Sequence, residues 1–296
     1  MTNIAPWLDR EEYPFSHNFL DTPEGRLHYV DEGVGEVILF VHGTPTWSYL
    51  WRRAVRELRD THRCVAPDHL GFGLSDKPSD FGYTVEQLAE HLQQLVEHLD
   101  LRDVTLVVHD FGGPIGTTWA LAHSDRVRRI VALNTWLWDL SDDRAATNVS
   151  RLTRGWLGTA LYKSLNLAAR FLLPKVAARP MASDVHKAYL NVVPRGRDRV
   201  GQLAFARNLG TSVKRDHWRR FQNELGDRVV GLIWGLKDPT AGADALRRMR
   251  DALPNARVRE LDDVGHFPQE EAPEVVVEEL RLALTRGSHG GQDVIC

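Results

Sequence analysis

Residues 104–123, VTLVVHDFGGPIGTTWALAH, pass from a β-branched apolar run through His109 and Asp110 into a glycine-broken pattern with helical spacing. The first seven residues predict a strand without polar alternation, as expected where both faces of a sheet are covered. Gly112 and Gly113 then allow a helix to pack close to the strand and leave the corner side chain exposed at the apex. Strand, sharp turn and helix with a reactive residue at the corner is the layout of a nucleophile elbow, in which serine is the common occupant. Here the corner is an acid.

Further strand-like runs lie on both sides of this one: GRLHYVDE, EVILFVH and RCVAPD before it, and RIVALN, VVGLIW and ARVREL after it. Helical patterns fall between them. In TVEQLAEHLQQLVEHLDL the residues Val85, Leu88, Leu92, Leu95, Val96 and Leu99 repeat on one face, with Thr84 placed to cap the helix. Others cover 47–58, 113–123, 243–252 and 273–286. Alternating strands and helices predict an α/β fold with a mostly parallel, doubly wound sheet. The alternation lapses at 137–221, which reads as a helical cap broken by Pro174, Pro180 and Pro194. The expected organisation is a core at 1–136 and 222–286, a cap at 137–221, and a Gly-rich polar tail at 287–296 expected to be mobile.

Composition sets limits on function. The 296 residues are 43% hydrophobic and 26% charged, a globular balance. No apolar run approaches the roughly 18 residues a membrane span needs, and MTNIAPWLDREEYPF lacks the basic and apolar regions of a signal peptide, so a cytoplasmic location is expected. Cys64 and Cys296 offer no metal spacing or useful disulfide, and the histidines show no zinc pattern. Neither GVGEV nor GFGLSD forms a dinucleotide loop, so no cofactor and no metal are expected. The net charge of −3 gives no reason for a nucleic-acid or membrane partner. Charge is uneven, however. Between residues 137 and 220 there are 16 Lys and Arg against 6 Asp and Glu, a local +10 set against −13 in the rest.

Two other stretches bring reactive groups to strand ends, where open parallel sheets bind ligands. In LIWGLKDPT a strand ends and Asp238 follows; in ELDDVGHFPQEEAPE, His266 sits in a loop before the last helix. The chain order nucleophile, acid, histidine is that of α/β-hydrolases. Together with HGTPTWSYLWR at 42–52 and PDHLGFGLSDKP at 67–78, these motifs resemble the haloalkane dehalogenases, a branch of the α/β-hydrolase superfamily bordering on epoxide hydrolases and β-lactone decarboxylases. The resemblance covers nearly the whole chain and is weakest in the insertion.

The chemistry explains the acid. Serine attacking a saturated carbon would form an ether that water cannot cleave, whereas a carboxylate forms an ester that water activated by His266 can open. Asp110 therefore points to a C–halogen bond or a strained ring, with Asp238 orienting the imidazole. The resemblance implies oxyanion donors at the N–H groups of Phe111 and Thr44, and a small apolar substrate with water as co-reactant. It also exposes a departure: the family's halide-gripping Trp and Asn are here Phe111 and Thr44. Candidate replacements are the indoles of Trp136, Trp138, Trp156 and Trp218, and candidate proton donors for epoxide opening are Tyr162 and Tyr189; simple packing competes for each. Asn134, at a strand end where some branches carry the acid, cannot supply charge. His109 is expected to make a structural hydrogen bond, and Asp263 could stand in for Asp238. A β-lactone substrate would suit the basic insertion, and a ligand-binding protein retaining the fold is the alternative of another class. Oligomeric state stays open.

Overall fold

Eight strands form a single sheet in a computed structural model that describes residues 5–285; the expected tail at 287–296, with Cys296, lies outside the described residues. The strands are β1 (Asn18–Thr22), β2 (Gly25–Glu32), β3 (Val37–Val41), β4 (Arg63–Pro67), β5 (Val104–Asp110), β6 (Val127–Thr135), β7 (Val229–Gly235) and β8 (Arg257–Leu261). Their order is β1-β2-β4-β3-β5-β6-β7-β8. Pairing is parallel from β4 to β8 and antiparallel for β1–β2 and β2–β4. Every strand but β1 coincides with an expected run. β1 escapes because NFLDT alternates poorly, and it is an edge strand held by β2 alone.

All of β5 is buried. Leu106 and Val108 point to one side, where helices α2 (Val85–His98), α3 (Gly112–Ala122), α9 (His217–Leu225) and α10 (Ala243–Ala252) bury Leu88, Ile115, Phe221 and Met249. Val107 points to the other, where α1 (Arg52–Leu58) and α12 (Pro273–Thr285) bury Val55 and Leu280. Each such side chain contributes about 1.5–3 kcal/mol on leaving water. The start of α2 is fixed as its sequence suggests, with the Thr84 hydroxyl accepting from the Gln87 N–H at 3.2 Å and the Gln87 side chain returning the bond.

Between β6 and β7 the described residues contain no strand; besides short 3-10 turns and loops they form α4 (Arg144–Arg154), α5 (Trp156–Leu165), a π-helical turn (Ala168–Leu172), α6 (Leu173–Val176), α7 (Ser183–Asn191), α8 (Val200–Asn208) and α9. A final short helix, α11 (Pro268–Glu271), follows His266. One ion pair ties these parts together. Arg52, fully buried, grips Glu270 at 2.6 and 2.9 Å and lies over the Tyr49 ring, while Glu270 also accepts from the Tyr189 hydroxyl at 2.5 Å. Arg52→Ala leaves a buried carboxylate without its cation, so a loss of about 3–5 kcal/mol is expected in urea unfolding. Replacing Arg52 and Glu270 together with apolar residues should recover much of it; equal loss in both variants would show that packing, not charge, is at stake.

Candidate active site

The loops after β3, β5, β6, β7 and β8 converge at the carboxyl end of the sheet, beside the point where chain order reverses between β3 and β5. Asp110 ends β5 with φ of +52°, a left-handed conformation that costs a non-glycine residue energy and needs support from its surroundings. That support is visible. The Thr135 hydroxyl donates to the Asp110 carbonyl at 2.6 Å, and the Thr44 N–H donates to Asp110 Oδ1 at 2.7 Å. Gly43 makes room for the side chain, since a Cβ there would stand 2.1 Å from Oδ1.

His266 Nε2 lies 3.3 Å from Asp110 Oδ2, and its Nδ1 lies 2.7 Å from Asp238 Oδ2. The three side chains form a continuous buried line. Asp238 is saturated with donors: Asn134 Nδ2 at 2.9 Å on Oδ2, and the Thr240 N–H and hydroxyl, each at 2.7 Å, on Oδ1. Asn134 thus reaches the expected strand end but orients the acid instead of replacing it. The histidine loop is pinned by its backbone. His109 Nε2–H donates to the His266 carbonyl at 2.7 Å, and the His266 N–H donates to the Val176 carbonyl of α6 at 2.9 Å. Buried Glu271 accepts from the N–H groups of Gly265, Ala178 and Arg179, tying the same loop to the insertion. Asp263 pairs with Arg179 and is not a substitute for Asp238.

Thr240 and Glu271 were not singled out from the sequence. A signal existed for the first, because DPT is an Asx-turn signature and places Thr240 two residues beyond its acid. None existed for the second, which reads as an ordinary helical glutamate.

Burial works against charge on His266, but the adjacent Asp238 charge and the hydrogen bonds to Asp110 and Asp238 outweigh it and push the imidazole up to about 10. Burial likewise opposes the Asp238 charge, yet His266 and Thr240 hold that carboxyl well below the ordinary range. His109, desolvated and beside His266, falls to about 4 and stays neutral. Because folded His266 binds its proton more tightly than the unfolded residue, with its ordinary value of 6.5, its contribution to stability is complete below pH 6.5. It is lost as pH rises toward 10. Melting temperature should therefore fall across that window, and His266→Gln should flatten the slope; an unchanged slope would assign it to other groups.

Phe111 stacks on Phe205 at 4.2 Å and meets Trp136 edge-on at 4.9 Å. The Trp136 indole N–H and the Thr44 hydroxyl are buried and have no partner among the described residues. Tyr162 of α5 is buried and donates to the Gln202 carbonyl at 3.2 Å; burial, and to a lesser degree the Asp110 charge, push its hydroxyl above the ordinary value. The other aromatic candidates stand elsewhere. Tyr189 is committed to Glu270. Trp138 and Trp218 pack edge-on against each other beneath Arg248. Trp156 is 82% exposed on the outer surface. Helical spacing in the insertion could not show which of these faces would turn inward.

A family described as alpha/beta hydrolase fold matches residues 36–273. The chain is 37% identical to haloalkane dehalogenase 2 of Mycobacterium tuberculosis over 273 residues, covering 90% of this chain and 94% of that one. It is 33% identical to a cis-3-alkyl-4-alkyloxetan-2-one decarboxylase of Shewanella oneidensis over 283 residues, covering 92% and 89%. Among solved structures, the haloalkane dehalogenase DatA of Agrobacterium tumefaciens superposes with a TM-score of 0.81 at 29% identity, covering 92% of this chain and 96% of that one.

Proposed function

The chain belongs to the α/β-hydrolase family, among its haloalkane dehalogenase-like enzymes, and from that premise we propose that it hydrolyses a small apolar substrate through an ester formed on Asp110. The observation that carries this reading is the buried line Asp238–His266–Asp110, with the Thr44 N–H already on Asp110 Oδ1. Asp110 Oδ2 attacks the saturated carbon, and the carbon–halogen bond breaks with its electron pair leaving on halide. In the resting enzyme His266 is an imidazolium between two carboxylates. Ester formation removes one of those charges and one acceptor, so the imidazolium releases its proton to solvent, where it accompanies the halide, and the neutral imidazole becomes a base; after ester hydrolysis the regenerated Asp110 carboxyl returns a proton to it. It then takes a proton from water, which attacks the carbonyl carbon of Asp110. The oxyanion is met by the Thr44 and Phe111 N–H groups, and collapse returns the proton to the departing alcohol.

This mechanism routes solvent oxygen through the protein. Many turnovers of a bromoalkane in heavy-oxygen water should leave label in the peptide containing Asp110. Label confined to product from the first turnover would mean direct attack by water and would end the ester reading.

A second reading is ring opening of a β-lactone, favoured by the replacement of the usual halide donors with Phe111 and Thr44 and by the oxetanone-decarboxylase relatives. The leaving group would then be a carboxylate, whose charge is spread over two oxygens and makes a weaker demand on donors. Bromide release from bromoalkanes, assayed beside consumption of a cis-dialkyl oxetan-2-one and abolished in each case by Asp110→Asn, separates the two.

A further inference from the structure

Helix α5 presents its amphipathic pattern the wrong way round. Leu157, Leu161 and Leu165, spaced to form one stripe, are exposed, while the one buried side chain of the helix is Tyr162. The neighbouring α4 extends the stripe with Leu152 at 69% exposure, and Trp156 stands at the junction of the two helices. Phe171 continues it on the π-helical turn. Of the ten exposed large hydrophobic residues described, eight fall within residues 149–172. A concentration of this kind within 24 consecutive residues marks an interaction surface, not ordinary scatter.

Charge identifies the partner. Residues 144–175 contain six Lys and Arg and no Asp or Glu, and among the described residues none of these six is in an ion pair. We infer that the outer face of α4 and α5 docks on the surface of an anionic phospholipid bilayer, with Leu and Trp entering the headgroup boundary and the cations meeting lipid phosphate. A second copy of the chain would bring two such cation-rich stretches together, with only Asp142 and Asp143 at the start of α4 to offset them, so charge complementarity favours the lipid. No described helix is long and apolar enough to cross a membrane, so the contact is interfacial. The overall net charge gives no hint of it; only the local distribution does.

Co-sedimentation with sucrose-loaded vesicles tests this. The protein should bind equimolar phosphatidylcholine and phosphatidylglycerol, bind phosphatidylcholine alone weakly, and release as salt is raised. Trp156→Ser with Leu161→Ser should lower the partition coefficient by more than about tenfold. Both positions are exposed, so an unchanged circular dichroism spectrum and unfolding midpoint verify that the fold is kept. Arg151→Glu with Arg170→Glu should abolish the preference for the anionic lipid. The inference is overturned by no binding to anionic vesicles, or by binding that both variants leave unchanged. It is overturned equally if sedimentation velocity without lipid shows oligomers that the Trp156 and Leu161 variant dissolves, which would assign the face to a second copy.

Discussion

His266→Ala is expected to accumulate a covalent adduct on Asp110 while steady-state turnover falls by roughly 10²–10⁴-fold. The two halves of the proposed reaction make different demands. Forming the ester needs only an anionic carboxylate aimed at carbon, and the Thr44 N–H holds Oδ1 at 2.7 Å whether or not the imidazole is present. Opening the ester needs a base within reach of water next to the carbonyl carbon, and His266 is the group beside Oδ2. Removing it should leave the first step standing and stop the second. Intact-mass measurement after incubation with a bromoalkane should show the enzyme heavier by one alkyl group, with the adduct mapping to the Asp110 peptide. Asp110→Asn should show none. Loss of turnover with no adduct, from bromoalkane and oxetanone alike, would mean that His266 is needed before attack or that Asp110 is not the nucleophile.

The parts of this site that could be read from the chain are those whose chemistry is local. The strand, the glycine pair and the acid between them are contiguous, so residues 104–113 already state a corner with a carboxylate on it. Asp238 and His266 were legible because each follows a strand-like run by a few residues, and strand ends of a parallel sheet meet at one edge. What could not be read depends on packing between distant segments. Tyr162 and Tyr189 occupy similar helical contexts, yet one donates to the Gln202 carbonyl and the other is spent on Glu270. The stripe Leu157, Leu161 and Leu165 has the period of a core face, and only the tertiary structure reveals that it faces outward. In the sequence Asn134 reads as a strand-end amide that cannot supply charge. Its actual use, donating to Asp238 at 2.9 Å while its Oδ1 accepts from the Gly235 N–H at 2.8 Å, depends on β6 and β7 being neighbours in the sheet.

Trp136→Phe is expected to slow bromide release by roughly 10²–10³-fold, the usual effect of removing one donor aimed at developing charge. Halide emerging in a water-poor pocket must be met by hydrogen-bond donors, and Phe111 has none to offer. Two buried donors have no partner among the described residues: the Trp136 indole, whose ring meets Phe111 edge-on, and the hydroxyl of Thr44, whose own N–H bonds Asp110 Oδ1. An unmade buried hydrogen bond costs about 1–3 kcal/mol, so both gain when an anion arrives. The converse experiment adds donors. Phe111→Trp with Thr44→Asn should raise bromide release, provided Phe205→Leu relieves the stacking at 4.2 Å that a larger ring would turn into overpacking. Bromide rates unmoved by either change would show that leaving-group donors do not limit the reaction. A lactone supplies the control, because its departing carboxylate stays tethered to the substrate and spreads its charge, so ring opening should respond far less to the same substitutions. If both substrates speed up in parallel, the limit lies in the step they share, hydrolysis of the ester on Asp110.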